Sequence, residues 1–301
     1  MGCTRSGVPF MISFWILASA MTGASLASSQ SADAWSNGGY SWDPSDPDYG
    51  THDWIAESAL ALQTRDASFL TGDNLVRFLL GTEAPDNDEY IGDHEEHHVY
   101  YYATGVVQDD VGATRAQDMY DLALTAAADD KPSDAAYYLG AMAHYISDVG
   151  VFGHTMGADT NWGYEEHHTD YEEEFESILD TLDGPPEMTS TNLTAYDATL
   201  DLAKDITFGY GVIEANTWMD DNYDWSDSTF VTSAMASLHA AVQSVAAAID
   251  HFLWEVDAPE GDDTADGTET AHDSSGDSAL YIGAAAAALI AAIIYLTRKA
   301  R

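Results

Sequence analysis

Apolar residues recur at three- and four-residue steps along most of the middle of this chain, and that spacing restricts the fold more than any other feature. The stretches 52–63 (HDWIAESALALQ), 74–80, 113–128, 133–151, 171–182, 200–219 and 229–256 each carry an apolar stripe of helical period, while the alternation of a half-buried strand is scarce. Helix breakers punctuate them at Lys131-Pro132-Ser133, Asp183-Gly184-Pro185-Pro186 and Asp220-Asp221-Asn222. The pattern predicts an all-α fold: one multi-helix domain over residues 35–257, with no internal repeat. A hydrophobic content of 46% is enough to give such a domain a packed core.

The ends of the chain read differently. Arg5 precedes the apolar run 8–20, and small residues follow, which is the layout of a secretory signal peptide. Ala32-Asp33-Ala34 fits its cleavage pattern, so residues 1–34 are expected to be removed and Trp35 to become the mature N-terminus; cleavage nearer Ala27 is the alternative. The one cysteine, Cys3, lies in that segment, which leaves the mature domain without thiolate or disulfide chemistry. Residues 258–278 are polar and aperiodic, as a flexible linker is. The uncharged apolar stretch 279–296 is long enough to cross a bilayer as a C-terminal transmembrane helix, and Arg298, Lys299 and Arg301 follow it in the basic tail 297–301. The expected product is exported and anchored in the cell membrane, with its helical domain outside.

Acidic residues number 52 against 9 basic ones, a formal net charge of −43. Like charge on that scale is best tolerated where concentrated salt shortens the Debye length to about 3 Å at 1 M, as in a halophile. It also argues against a nucleic-acid partner, because cations to meet a phosphate backbone are few. Histidine is distributed quite otherwise: eight of the 11 fall between His52 and His168.

The strongest local signal is His144-Tyr145-Ile146-Ser147-Asp148, in an apolar helix. Residues four apart differ by about 40° in azimuth, so His144 and Asp148 point the same way and can grip one ion. His154 comes six residues later and should face a neighbouring ion. His168 and Glu172 repeat the four-residue spacing, with His167 as a competitor whose offset from Glu172 suits a shared face less well. Upstream, Pro85-Asp86-Asn87-Asp88 and the run Gly92-Asp93-His94-Glu95-Glu96-His97-His98 add carboxylates and imidazoles on loops. Taken singly, each pair could be a hydrogen bond or a solvated acidic face. Their joint occurrence points to metal, and histidine with carboxylate but no cysteine favours zinc over manganese or iron.

The series Trp35-Ser36, Thr51-His52, Pro85-Asp86, His98-Val99-Tyr100, Tyr138-Leu139-Gly140, His144 through Val149, His154 and His168 through Glu172 resembles the zinc-dependent phospholipase C family, in family order. Spacings match too: twelve residues from Asp86 to His98, then four, six, fourteen and four from His144 through Glu172. The resemblance implies three Zn2+ ions. Asp86, His98, His144 and Asp148 would hold the first, and His154, His168 and Glu172 the second. His52, Asp148 as a bridge and the mature N-terminal Trp35 would hold the third, with Trp42 the rival for that terminus. It further implies a phosphodiester hydrolase of the phospholipase C type, with Asp86 the candidate base and water activated by zinc. Two departures stand out. Asn87 occupies a position where relatives that cleave phosphatidylcholine place an aromatic residue. The polar linker and apolar stretch stand where a lipid-binding β-domain would follow, which implies a tether to the membrane instead. Two other readings remain open at this point: a single-strand nuclease, because such nucleases share the fold and the three-zinc site, and a non-catalytic surface module with structural zinc.

Overall fold

A computed structural model describes residues 49–86, 91, 96–182 and 192–257, all within the unit formed by residues 31–301. The expected signal segment, Trp35 and Trp42, the linker, the apolar stretch 279–296 and the basic tail lie outside the described residues. Within them the chain is helical, as its periodicity predicts. In order come α1 (Thr51–Ala61), α2 (Asp73–Thr82), a short antiparallel hairpin of β1 (Tyr100–Tyr101) and β2 (Val107–Asp109), then α3 (Val111–Ala128) and α4 (Pro132–Asp148). A 3-10 turn over Phe152–Thr155 leads to α5 (His168–Ile178), α6 (Ala195–Phe208), α7 (Asn216–Asp221) and α8 (Ser228–Asp257).

The helix starts are written in the sequence. Pro132 opens α4, where its missing N–H costs nothing. The Thr194 hydroxyl accepts from the Asp197 N–H at the start of α6, and an Asp227 carboxylate oxygen accepts from the N–H groups of Thr229 and Phe230 before α8.

The core forms around α8. Its side chains are buried almost continuously from Phe230 to Leu253, many of them alanine, so that α1, α3, α4 and α6 approach it closely. Among the described residues it is the one helix long and apolar enough to cross a membrane, yet 94% of its most apolar window is buried, as in the central helix of a helical domain.

Against α4 lie α2 and α3. The α2–α4 crossing rests on two glycines. A Cβ on Gly81 would stand 2.1 Å from the Tyr137 carbonyl oxygen, and one on Gly140 1.9 Å from that of Phe78. Nothing larger than hydrogen fits at either position, and the approach brings the end of α2 onto the C-terminal half of α4.

One expectation fails. The segment 200–219 is not a single helix: α6 stops at Phe208, and Gly209 and Gly211 take φ values of 80° and 64° before the chain resumes as α7. Both angles lie in the left-handed region that glycine enters without steric cost, so the chain can turn sharply there. The apolar period continues through the turn because Ile213 and Met219 are buried on either side of the new direction.

Candidate metal centre

The C-terminal half of α4 carries the centre. His144 and Asp148, one turn apart and fully buried, face a space also reached by His52 from the first turn of α1, by Asp86 after α2, and by the segment 96–101. Asp148 Oδ1 lies 3.2 Å from His52 Nε2. Its other oxygen, Oδ2, lies 3.2 Å from His144 Nε2 and 2.6 Å from His97 Nδ1. Asp86 Oδ1 approaches the same imidazoles, 3.6 Å from His144 and 3.9 Å from His97. One carboxylate thus serves two groups of donors, one on each oxygen.

Hydrogen bonds behind the rings settle which nitrogen faces inward. The Nδ1–H of His144 donates to the Thr82 carbonyl at 2.7 Å, the contact that the Gly81–Gly140 crossing makes possible. The Ser147 hydroxyl donates to the His144 carbonyl, so the His52 Nδ1–H donates in turn to Ser147 Oγ at 2.8 Å. In both rings Nε2 is the nitrogen turned inward, the arrangement in which an outer partner orients a metal-binding imidazole.

Where α4 ends, the chain turns through Phe152–Thr155 and presents His154; the first turns of α5 present His168 and Glu172. Glu172 Oε1 is 2.7 Å from His168 Nε2 and 3.9 Å from His154 Nε2, and Glu165 lies 3.4 Å behind the His168 ring at Nδ1. A Cβ on Gly153 would collide with that ring, so only glycine lets His154 and His168 share the space.

His98 lies outside the three donor sets. It was expected beside Asp86, but its Nε2 turns to Asp109 at 3.4 Å and its ring stacks on Tyr100, whereas His97 enters the cluster. The reason is an alternation of faces over 97–101, the segment that leads into β1. His97, Val99 and Tyr101 point inward and are buried; His98 and Tyr100 are only partly so. The alternation His97-Val99-Tyr101 was the signal that could have selected His97. His167 stays out of the group, paired with Asp220 and stacked on Tyr223. Glu165 stands three residues before His168 but ahead of the start of α5, where spacing carries no direction.

Burial and charge tune these groups. Burial, helped by His144, pushes His52 down to about 4; burial and His168 hold His154 well below the ordinary imidazole range. Both therefore present lone pairs at neutral pH. Burial would raise Asp148, but the His144, His52 and His97 rings around it hold its carboxyl well below the usual range. Burial opposes charge on His168, yet the carboxylates of Glu172 and Glu165 outweigh it and push the ring up to about 10, while Glu172 is pushed up by burial to about 7.

Three donor sets result among the described residues: His52, His144 and Asp148; Asp86, His97 and His144; and His154, His168 and Glu172, with the ligand atoms of each set within 4.8 Å of one another. Among them, His52 Nε2, Asp148 Oδ1, His154 Nε2, His168 Nε2 and Glu172 Oε1 are buried without a hydrogen bond of acceptable geometry. Buried polar atoms paired so imperfectly with one another call for a further partner. Divalent cations bound by nitrogen and oxygen would satisfy them all, and a set of histidines and carboxylates without cysteine fits zinc.

Comparison with known proteins agrees with this chemistry. A family described as zinc dependent phospholipase C matches residues 51–223, more than half of the chain. The alpha toxin of Clostridium absonum is similar in fold, with a TM-score of 0.51 and 19% identity over 72% of this chain. The alpha-toxin of a Clostridium perfringens avian strain, SWCP, aligns with a TM-score of 0.46 and 17% identity over 69% of this chain. The present chain spans 65% and 64% of those toxins, less than two thirds of either. No curated protein sequence matches it.

Proposed function

Because this chain belongs to the zinc-dependent phospholipase C family, we propose that it is a zinc-dependent phosphodiester hydrolase acting on glycerophospholipids or related headgroup esters. The observation that carries the proposal is Asp148, whose two oxygens face separate imidazole groups at 2.6–3.2 Å. Asp86, His97, His144 and Asp148 would hold one ion and His154, His168 and Glu172 another. His52 and Asp148 would begin a third, which Trp35 would complete through a mature N-terminal amine. When bound, zinc supplies Lewis acidity, polarising phosphoryl oxygens and bringing the pKa of water towards about 7.

The rest of the task falls to the chain itself. Asp86 is the cluster carboxylate with the most solvent exposure, its side chain 11% exposed, so it is the one placed to take a proton from an attacking water. Asp148, fully buried and held ionised, keeps the His52 and His144 rings turned inward. The fixed Nδ1 partners, Thr82 and Ser147, prevent either ring from flipping.

The export and anchoring of the domain belong to the same proposal. They rest on the segments 1–34, 258–278 and 279–296 and on the cations after them. The buried α8 is the core of the domain and serves no such purpose.

The test is Asp148→Asn. It keeps the shape but removes the charge that two groups share, so the purified variant should hold less zinc and lose phosphodiester cleavage of short-chain phospholipids. Unchanged zinc content and unchanged cleavage defeat the proposal. Cleavage of single-stranded DNA with none of lipid esters moves the activity to a nuclease, and bound zinc without any hydrolysis leaves a structural module.

A further inference from the structure

The short helix α7 has no donor in any of the three sets, yet it touches the chain on both sides of one of them. Asn216 and Asp220 stand four residues apart, on one face, and both are buried. The Asn216 side-chain amide donates to the Thr155 carbonyl at 3.2 Å and to its hydroxyl oxygen at 3.1 Å. Thr155 is the residue after His154. Asp220 accepts from the backbone N–H of Glu166 at 2.9 Å, from that of His167 at 3.1 Å, and from His167 Nδ1 at 3.1 Å. Those are the two residues before His168.

The helix is itself anchored to the core. The Glu214 N–H donates to Ser233 of α8, Met219 is buried, and Tyr223 packs its ring against Phe230. Its position is therefore set from outside the metal centre. A polar side chain is tolerated in a buried position only when its hydrogen bonds are complete: the Asn216 side-chain oxygen accepts from the Thr217 N–H within α7 at 2.7 Å, while its amide and the Asp220 carboxylate reach out to the ligand-bearing segments.

We infer that α7 is a clamp that fixes the separation of His154 and His168, with Asn216 and Asp220 as positioning residues for the ion of the His154, His168 and Glu172 set. The inference rests on the zinc reading above but adds a division of labour: the ions around Asp148 are positioned by α1, α2 and α4, and this one by α7.

Zinc retained per chain, measured after dialysis against graded chelator, tests it on the full-length protein. Asn216→Ala and Asp220→Ala should each weaken, by about 10–100-fold, the same ion that His168→Ala removes. The other ions should stay. Combined with His168→Ala neither variant should cost further zinc, whereas combined with His52→Ala the losses should add. Asp220→Asn, which keeps size and one acceptor oxygen, serves if Asp220→Ala does not fold, and is expected to show a smaller loss at the same ion. Asn74→Ala is the control, because Asn74 makes a similar bond to the Phe69 carbonyl at 2.8 Å, at the far end of α2 from Thr82. It should leave every ion in place. Uniform weakening of all ions, or retention equal to wild type, overturns the clamp. A wild-type chain that binds no zinc defeats both the clamp and the function. One that holds zinc but cleaves no phosphodiester defeats the function alone.

Discussion

At residues 97 and 98 two histidines sit side by side in sequence, and the peptide unit between them decides which one faces the acids. The backbone is pinned on both sides: the Gly112 N–H donates to the His98 carbonyl at 2.9 Å, and the Val99 N–H to the His154 carbonyl at 3.1 Å. With the segment so held, a one-residue slip would send Val99 to the surface. His97→Ala should therefore lower zinc affinity and hydrolysis by more than the roughly 10–100-fold that loss of an outer partner costs. His98→Ala should leave the zinc content unchanged. Metal analysis of the two purified variants checks this, and the opposite ranking would restore His98. The contrast also marks how far sequence reading reaches at this scale. The pairs His144 with Asp148 and His168 with Glu172 were legible, because four-residue spacing on a helix dictates a shared face. Asp86 and His97 come from loops, where spacing carries no direction, and only the period-two burial of 97–101 separates His97 from its neighbour.

Among the elements, the contact of α2 with α4 links packing to chemistry. The Thr82 carbonyl reaches His144 because Gly81 and Gly140 let the backbones touch. Gly140→Ala must push the helices apart. The expected cost is about 1–3 kcal/mol of stability, or roughly 2–4 °C of melting temperature per kcal/mol in a domain of this size. Zinc affinity should fall with it, as His144 loses the partner that fixes its ring. A thermal melt with a parallel zinc titration reads both effects, and a variant as stable as wild type would show that the helices can part freely. Most helices were visible in the sequence as apolar stripes. α7 was not, because the stripe runs through Gly209 and Gly211 without a gap, and only their left-handed φ values reveal the turn. The role inferred for α7 was equally hidden, since Asn216 and Asp220 look like ordinary polar surface positions until the fold buries them.

For the whole molecule, charge and core act in opposite directions. The formal net charge is −43, and several of the few cations are already paired, Arg65 with Asp250, Arg115 with Glu96 and Asp118, and Lys131 with Asp129. The surplus repulsion is screened only by added salt, whose Debye length falls from about 10 Å at 0.1 M to about 3 Å at 1 M. The melting temperature should rise between those concentrations, by more than the roughly 2–4 °C that corresponds to 1 kcal/mol. A flat or falling curve in chelated and zinc-loaded protein alike would refute it. Against this repulsion stands α8, on which α1, α3, α4 and α6 pack and which is the last of the described helices in chain order. Synthesis therefore delivers the centre of the domain after its periphery. Until residues 228–257 emerge, α2 and α3 can already pack on α4, but the faces of α1, α3, α4 and α6 that α8 covers have no partner.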